Sequence, residues 1–235
     1  MSNRLQIQAL TTDFGGEMKI SKYIHSCILV ESKKERLLID PGPFTFIEGK
    51  VKAGDFKGVT TILFTHKHYD HYDIDALKEI LQNNPEARVL TNKTTAETLT
   101  EGGILVDILE EGTIKRGNFT ISAYPMEHEA LPLPVPQNTA FLINEQFLHP
   151  GDSLSQKIFD NAVEVLALPV AAPWLTMLSS LDSACRNRPE QVLPVHDGFV
   201  KDFFTERQYQ NWDRLLADRG MKFNGLRKPG DCIEI

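Results

Sequence analysis

The chain has 235 residues, 41% of them hydrophobic and 24% charged, which suits a folded domain with a substantial core and excludes a disordered chain. A formal net charge of −7 excludes a broad basic face for phosphate backbones, so a small-molecule substrate is expected and no nucleic-acid partner. Cys27, Cys185 and Cys232 form no Cys-x-x-Cys pair and read as small buried hydrophobes in a reducing compartment. No long apolar stretch opens the sequence, and no run approaches a membrane span of about 20 residues. The expectation is a cytoplasmic protein with no membrane partner.

In chain order, residues 4–10 alternate polar and apolar, as a half-buried strand does. Residues 26–31 and 36–40 are apolar runs around the charged turn Ser32-Lys33-Lys34-Glu35, the pattern of a hairpin. The second run stops at Asp40-Pro41-Gly42-Pro43, a strong turn signal. Val59 to Thr65 is another apolar strand. Helical spacing follows, with Ile74, Leu77 and Leu81 on one face and Asp73 or Asp75 as the N-cap. Residues 87–91 predict a short strand and Thr94–Thr100 a short helix. Residues 104–109, 118–124, 139–143 and 145–149 read as strands. Residues 163–169 and 191–195 predict buried strands that flank a helix around Met177–Arg186. A last helix over 202–219 carries Phe203, Phe204, Tyr209, Trp212, Leu215 and Leu216, which read as core anchors, with Gly220 as its stop. Residues 232–235 suit an edge strand. Leu131 to Pro136 alternates proline with aliphatics and predicts an extended loop, because proline lacks the donor that helices and central strands need. That loop follows His128 closely and is expected to wall the substrate pocket. No low-complexity linker divides the chain, so residues 1–235 read as one domain.

Three of the seven histidines fall within His66-Lys67-His68-Tyr69-Asp70-His71. Residues two apart in an extended chain point to the same side, which places His66 and His68 together as ligands of one metal. Asp70 and His71 follow where the strand gives way to a helix, so they can turn toward a neighbouring position. Neutral imidazoles with one hard carboxylate suit zinc, and also manganese, iron or nickel. A solvated polar loop is a weak account of four such residues in six positions.

This segment resembles the His-x-His-x-Asp-His signature of the metallo-β-lactamase superfamily. The resemblance extends to His25-Ser26-Cys27 and Asp40-Pro41-Gly42 upstream. Downstream it takes in Met126-Glu127-His128, Pro150-Gly151-Asp152-Ser153 and Leu193-Pro194-Val195-His196, in the family's order. The His-Ser element and the strand ending in His-Asp-Gly are similar to the small metal-dependent hydrolases related to ascorbate-6-phosphate lactonase. It implies an α/β (α+β) fold, a four-layer αβ/βα sandwich. It also implies two divalent cations, zinc by first expectation, with His66, His68 and His128 on the first. Asp70, His71 and His196 would hold the second, with Asp152 bridging both and Asp70 also acting as the catalytic residue. His128, Asp152 and His196 each end a predicted strand, where α/β sheets present functional groups. His25 fits either a place beside the ligands or a structural role; His149 reads as a proton shuttle or a surface residue. Ala171-Ala172-Pro173-Trp174 departs from a stretch that relatives make more Gly-rich, and Lys67 and Tyr69 fall at variable positions.

Two such cations can acidify a shared water to a pKa near about 7, and the sequence holds no Gly-x-Ser-x-Gly elbow for a serine nucleophile. The implied function is hydrolysis of a small ester, lactone or phosphodiester. The alternatives are a nuclease on the same fold, a di-iron redox domain, and a metal-binding module without catalysis. Redox relatives carry glutamate where this chain has His68.

Overall fold

Both faces of the central strands are apolar, so each sheet must be covered twice. The computed structural model describes residues 17–155 and 162–235. The first half runs β1 (Lys19–Lys22), β2 (Ile28–Ser32), β3 (Glu35–Ile39), β4 (Thr61–Phe64), α1 (Ile74–Asn83), β5 (Arg88–Thr91), α2 (Lys93–Glu101) and β6 (Asp107–Ile108). The second runs β7 (Gly112–Arg116), β8 (Phe119–Met126), β9 (Asn138–Ile143), β10 (Phe147–His149), β11 (Val165–Pro169), α3 (Met177–Asn187), β12 (Gln191–Val195) and α4 (Asp202–Ala217). Two strands close the chain, β13 (Lys222–Phe223) and β14 (Asp231–Glu234). They form two seven-stranded sheets, ordered β14-β1-β2-β3-β4-β5-β6 and β13-β12-β11-β10-β9-β8-β7. Strands β3 to β6 are parallel, as are β10 to β13, while the remaining pairs are antiparallel.

Period-two alternation sorts the side chains between layers. Leu37 and Ile39 face the second sheet beside Phe119, Phe141 and Val165, whereas Leu38 turns outward onto Leu77 and Ile80 of α1. In the second sheet Val165 and Ala167 face inward, and Leu166 and Leu168 pack on the side of α3 and α4 with Leu181 and Trp212. The result is the expected four-layer αβ/βα sandwich of an α/β fold.

Several local expectations are corrected by the structure. Asp73 rather than Asp75 caps α1, its carboxylate accepting from the Asp75 and Ala76 backbone N–H groups at 3.0 Å. The 104–109 strand shrinks to β6. In α4 only Tyr209, Trp212 and Leu216 are buried, while Phe203 (73% exposed) and Phe204 (46%) project into solvent. Residues 209, 212 and 216 share one helical stripe, and 203 and 204 lie off it. Cys27 is buried, but Cys185 is only partly so and Cys232 is exposed. The predicted strand at 4–10 lies outside the described residues. Edge strands β7 and β13 carry too few apolar residues to be read from the sequence. Among the described residues no helix is long and apolar enough to cross a membrane.

Candidate metal centre

Strand-exit loops from both sheets converge at one rim of the sandwich. The loop between β4 and α1 carries His66, His68, Asp70 and His71; His128 follows β8, Asp152 follows β10, and His196 is the first residue past β12. Ligand atoms of His66, His68, His128 and Asp152 lie within 4.8 Å of one another, and so do those of His25, Asp70, His71 and His196. Asp152 joins the two groups. Its Oδ2 stands 3.7 Å from His66 Nε2, 3.5 Å from His128 Nε2 and 3.1 Å from His196 Nε2. Its Oδ1 is 3.2 Å from His71 Nε2. All seven site residues expected from the sequence therefore meet in one place.

Hydrogen bonds at the outer ring nitrogens fix how the imidazoles present themselves. His71 Nδ1 donates to Asp40 Oδ2 at 2.9 Å, His128 Nδ1 to the Glu129 carbonyl at 2.7 Å, and His196 Nδ1 to the Ala171 carbonyl at 2.7 Å. The Thr65 hydroxyl gives its proton to Asp40 Oδ2 at 2.6 Å, so its oxygen accepts from His66 Nδ1 at 3.0 Å. With its outer nitrogen so engaged, each ring turns its Nε2 toward the centre. His66 Nε2, His71 Nε2, His196 Nε2 and Asp152 Oδ1 are buried and make no hydrogen bond. Buried polar atoms without partners are rare in native proteins, and four directed at one point fit a cation pair.

His25 has the opposite polarity. Its Nδ1 accepts from the Gly198 backbone N–H at 3.1 Å, which puts its proton on Nε2, and that atom donates to Asp70 Oδ2 at 3.2 Å. Burial drives its pKa down to about 4 against the pull of Asp70, so the ring is neutral at pH 7. His25 thus orients Asp70 although its position alone would suit a ligand. His149 is neither a surface residue nor a shuttle: it is fully buried, and both ring nitrogens are engaged. Its Nδ1 accepts from Gly151 N–H at 3.2 Å and Nε2 donates to the Ser26 carbonyl at 3.3 Å.

Two glycines make the convergence possible. A Cβ on Gly42 would stand 1.9 Å from the Asp70 carbonyl oxygen. One on Gly151, where φ is +62°, would stand 2.1 Å from Asn138 Oδ1. Asn138 needs that approach, since its amide donates to the Pro150 carbonyl and accepts from Asp152 N–H, holding the turn that aims Asp152. Next to His196, the buried Lys22 ammonium lies 2.7 Å from Asp197 Oδ2 and donates to the Tyr209 hydroxyl at 2.8 Å. Tyr209 in turn donates to Asp197. This network ties β1 and α4 to the turn that carries His196.

The electrostatics divide the site. Burial, aided by neighbouring imidazoles, holds His66 well below the usual histidine range and lowers His68. Burial also opposes charge on His71 and His196, but Asp152 outweighs it, with Asp40 helping at His71 and Asp70 at His196, so both are raised. For Asp152 burial is again outweighed, by His196, His71 and His66, and its pKa is held well below the carboxylate range. Asp70 is lowered too, because its bond from His25 and the charges of His71 and His196 overcome burial. The carboxylates draw positive charge into the His71–His196 side.

A family model described as a beta-lactamase superfamily domain matches residues 19–196, which span every residue of this centre. The chain belongs to the beta-lactamase superfamily. Protein Rv0786c of Mycobacterium tuberculosis is 32% identical to it over 191 residues, covering 78% of this chain and 85% of the relative. Igni18, described as a novel metallo hydrolase from the archaeon Ignicoccus hospitalis, shares the fold with a TM-score of 0.67 at 22% identity, covering 93% of this chain and 98% of its own. The metallo-beta-lactamase fold protein YhfI from Bacillus subtilis superposes with a TM-score of 0.69 at 17% identity, covering 94% of this chain and all of its own.

Within this superfamily member, the histidine cluster stood out in the sequence and its supports did not. Asp40 was visible only as part of a turn, and its positive φ of 46° reflects the bend that points its carboxylate at Thr65 and His71. Ala171, in the Ala-Ala-Pro-Trp stretch, supplies the carbonyl that orients His196. Asp197 showed only as part of the His-Asp-Gly ending, and Asn138 and Lys22 gave no local signal.

Proposed function

We propose that the chain is a metal-dependent hydrolase of a small ester, lactone or phosphodiester. The observation that carries this reading is the set of four buried, inward-facing donor atoms without hydrogen-bond partners, on His66, His71, His196 and Asp152. His66, His68 and His128 would hold one divalent cation, Asp70, His71 and His196 a second, and Asp152 both. Zinc is the first expectation, with manganese, iron or nickel as alternatives for this donor set. Bound there, the cations supply Lewis acidity and acidify a water molecule. The chain's own residues do the positioning. Asp70, held from behind by His25, would orient the attacking water and help to hold the second cation. Asp40, Glu129 and Ala171 keep the imidazole protons away from the centre. The name of Igni18 supports the same chemistry. Three free cysteines suit a reducing cytoplasmic setting.

Elemental analysis after supplementation with zinc, manganese or iron should give two cations per chain. A panel of p-nitrophenyl esters, lactones and bis-p-nitrophenyl phosphate should then reveal metal-dependent turnover. Asp70→Asn should cut kcat about 100-fold or more with one cation retained. Two bound cations without turnover of any substrate would favour a metal-binding module, and stoichiometry of one or none would reject the dinuclear assignment.

A further inference from the structure

Four aromatic rings stand around the centre, each on a different strand-exit loop. Trp174, past β11, has its ring centroid 5.9 Å from that of His128 and 5.4 Å from that of His196. Phe199, past β12, lies 5.9 Å from both His196 and His25. Phe44, past β3, lies 5.0 Å from His25 and 6.2 Å from Phe199. Tyr69, within the histidine segment, continues the series at 6.2 Å from Phe44. The series runs Trp174, His196, Phe199, Phe44, Tyr69 without a break and touches both ligand groups.

Trp174 leans on the core under the second sheet, and none of the four rings is fully buried. Tyr69 is 72% exposed and Phe199 48% exposed, and Phe44 and Trp174 are half-buried. Aromatic rings exposed together beside a reactive centre form an apolar patch whose burial would reward a ligand. Phe44, Trp174 and Phe199 meet the imidazoles in tilted or edge-on contacts, at interplanar angles of 56° to 80°, and Tyr69 joins them through Phe44. None of the four side chains carries a charge, whereas recognition of a phosphate group would call for arginine or lysine at these places.

We propose that the substrate of this site carries an aromatic acyl group, and that Phe44, Tyr69, Trp174 and Phe199 hold that group beside the scissile bond. The proposal rests on the hydrolase reading above and narrows it to aromatic esters and lactones. In the reaction the acyl C–O bond breaks, water adds its hydroxyl to the acyl carbon, and the remaining proton passes to the departing alcohol oxygen. An ester gives an arylalkanoic acid and an alcohol, and a lactone the single hydroxy acid, with no change of oxidation state. The class of reaction that supplies such a substrate is acylation of an alcohol by an activated aromatic acid.

The test separates the aromatic collar from the chemistry. Calorimetry on zinc-loaded protein compares phenylacetate with acetate, two carboxylates that engage a cation alike and differ by one ring. The wild-type chain should bind phenylacetate about 30-fold more tightly than acetate, and Tyr69→Ala and Phe199→Ala should each reduce that ratio about five- to tenfold. Both side chains are exposed, so metal content and melting temperature should not move. In parallel, p-nitrophenyl phenylacetate and p-nitrophenyl cyclohexylacetate share a leaving group, and kcat/KM should favour the first about tenfold. Phenylacetate selectivity that is lost in the variants without ester turnover would uphold the collar and reject ester hydrolysis. Equal affinity for the two carboxylates, or a ratio the variants leave unchanged, would overturn the collar whether or not esters are cleaved.

Discussion

Asp40 fixes both ends of the histidine segment with one carboxylate. It accepts from Thr65 N–H at 2.8 Å and from His71 Nδ1 at 2.9 Å, and through the Thr65 hydroxyl it also sets His66. Asp40→Asn replaces acceptor lone pairs with N–H donors and should release His71 from its orientation. The expected outcome is metal affinity lowered about 10- to 100-fold at the site His71 serves, read by zinc titration against a chelating dye. Gly42→Ala should do greater damage, because its methyl would meet the Asp70 backbone rather than a side chain that can swing away. Elemental analysis should find the second cation missing from that variant. Asp73→Ala is the contrast: it removes the cap of α1, lowers stability by about 1 kcal/mol, and leaves both cations in place.

At the level of elements, legibility followed burial and sequence distance. Strands β2, β3, β4, β11 and β12 were readable as apolar runs because both of their faces are covered. The ligand segment was readable because four of its donors lie within six residues. The supports were less so: His25 showed with its role left open, and Lys22 meets Asp197 across 175 positions. The aromatic count of α4 misled for another reason: hydrophobic identity was weighed without helical phase, and Phe203 and Phe204 fall off the buried stripe. The Lys22 network makes its own prediction. Lys22→Met would strand the part-buried Asp197 without its counter-charge, at a cost of about 3 kcal/mol, seen as a lower urea midpoint. Because Asp197 adjoins His196, zinc titration of the folded variant should also show the second site weakened more than the first. Equal weakening of both would mean the network serves stability alone.

At the scale of the whole molecule, uptake of the proposed cations should be coupled to protons. The folded chain raises the pKa of His71 and His196 above the unfolded value, so their protonation stabilises the metal-free fold fully below pH 6.5. That contribution is lost as pH rises through their folded values. Zinc competes for the same nitrogens, so apparent affinity should climb with pH over that range and binding should release protons. Calorimetry at one pH in buffers of different ionisation enthalpy would count those protons, and a heat independent of buffer would contradict the coupling.

The proposed ligands are divided between the sheets, with four on the exit from β4 and three on the exits from β8, β10 and β12. Neither half of the sandwich can therefore complete either proposed site by itself. On this assignment full loading follows folding, so a bound cation pair would report that the two sheets have docked in register. Once seated, it also clasps them. A chelator should then lower the temperature at which the halves separate.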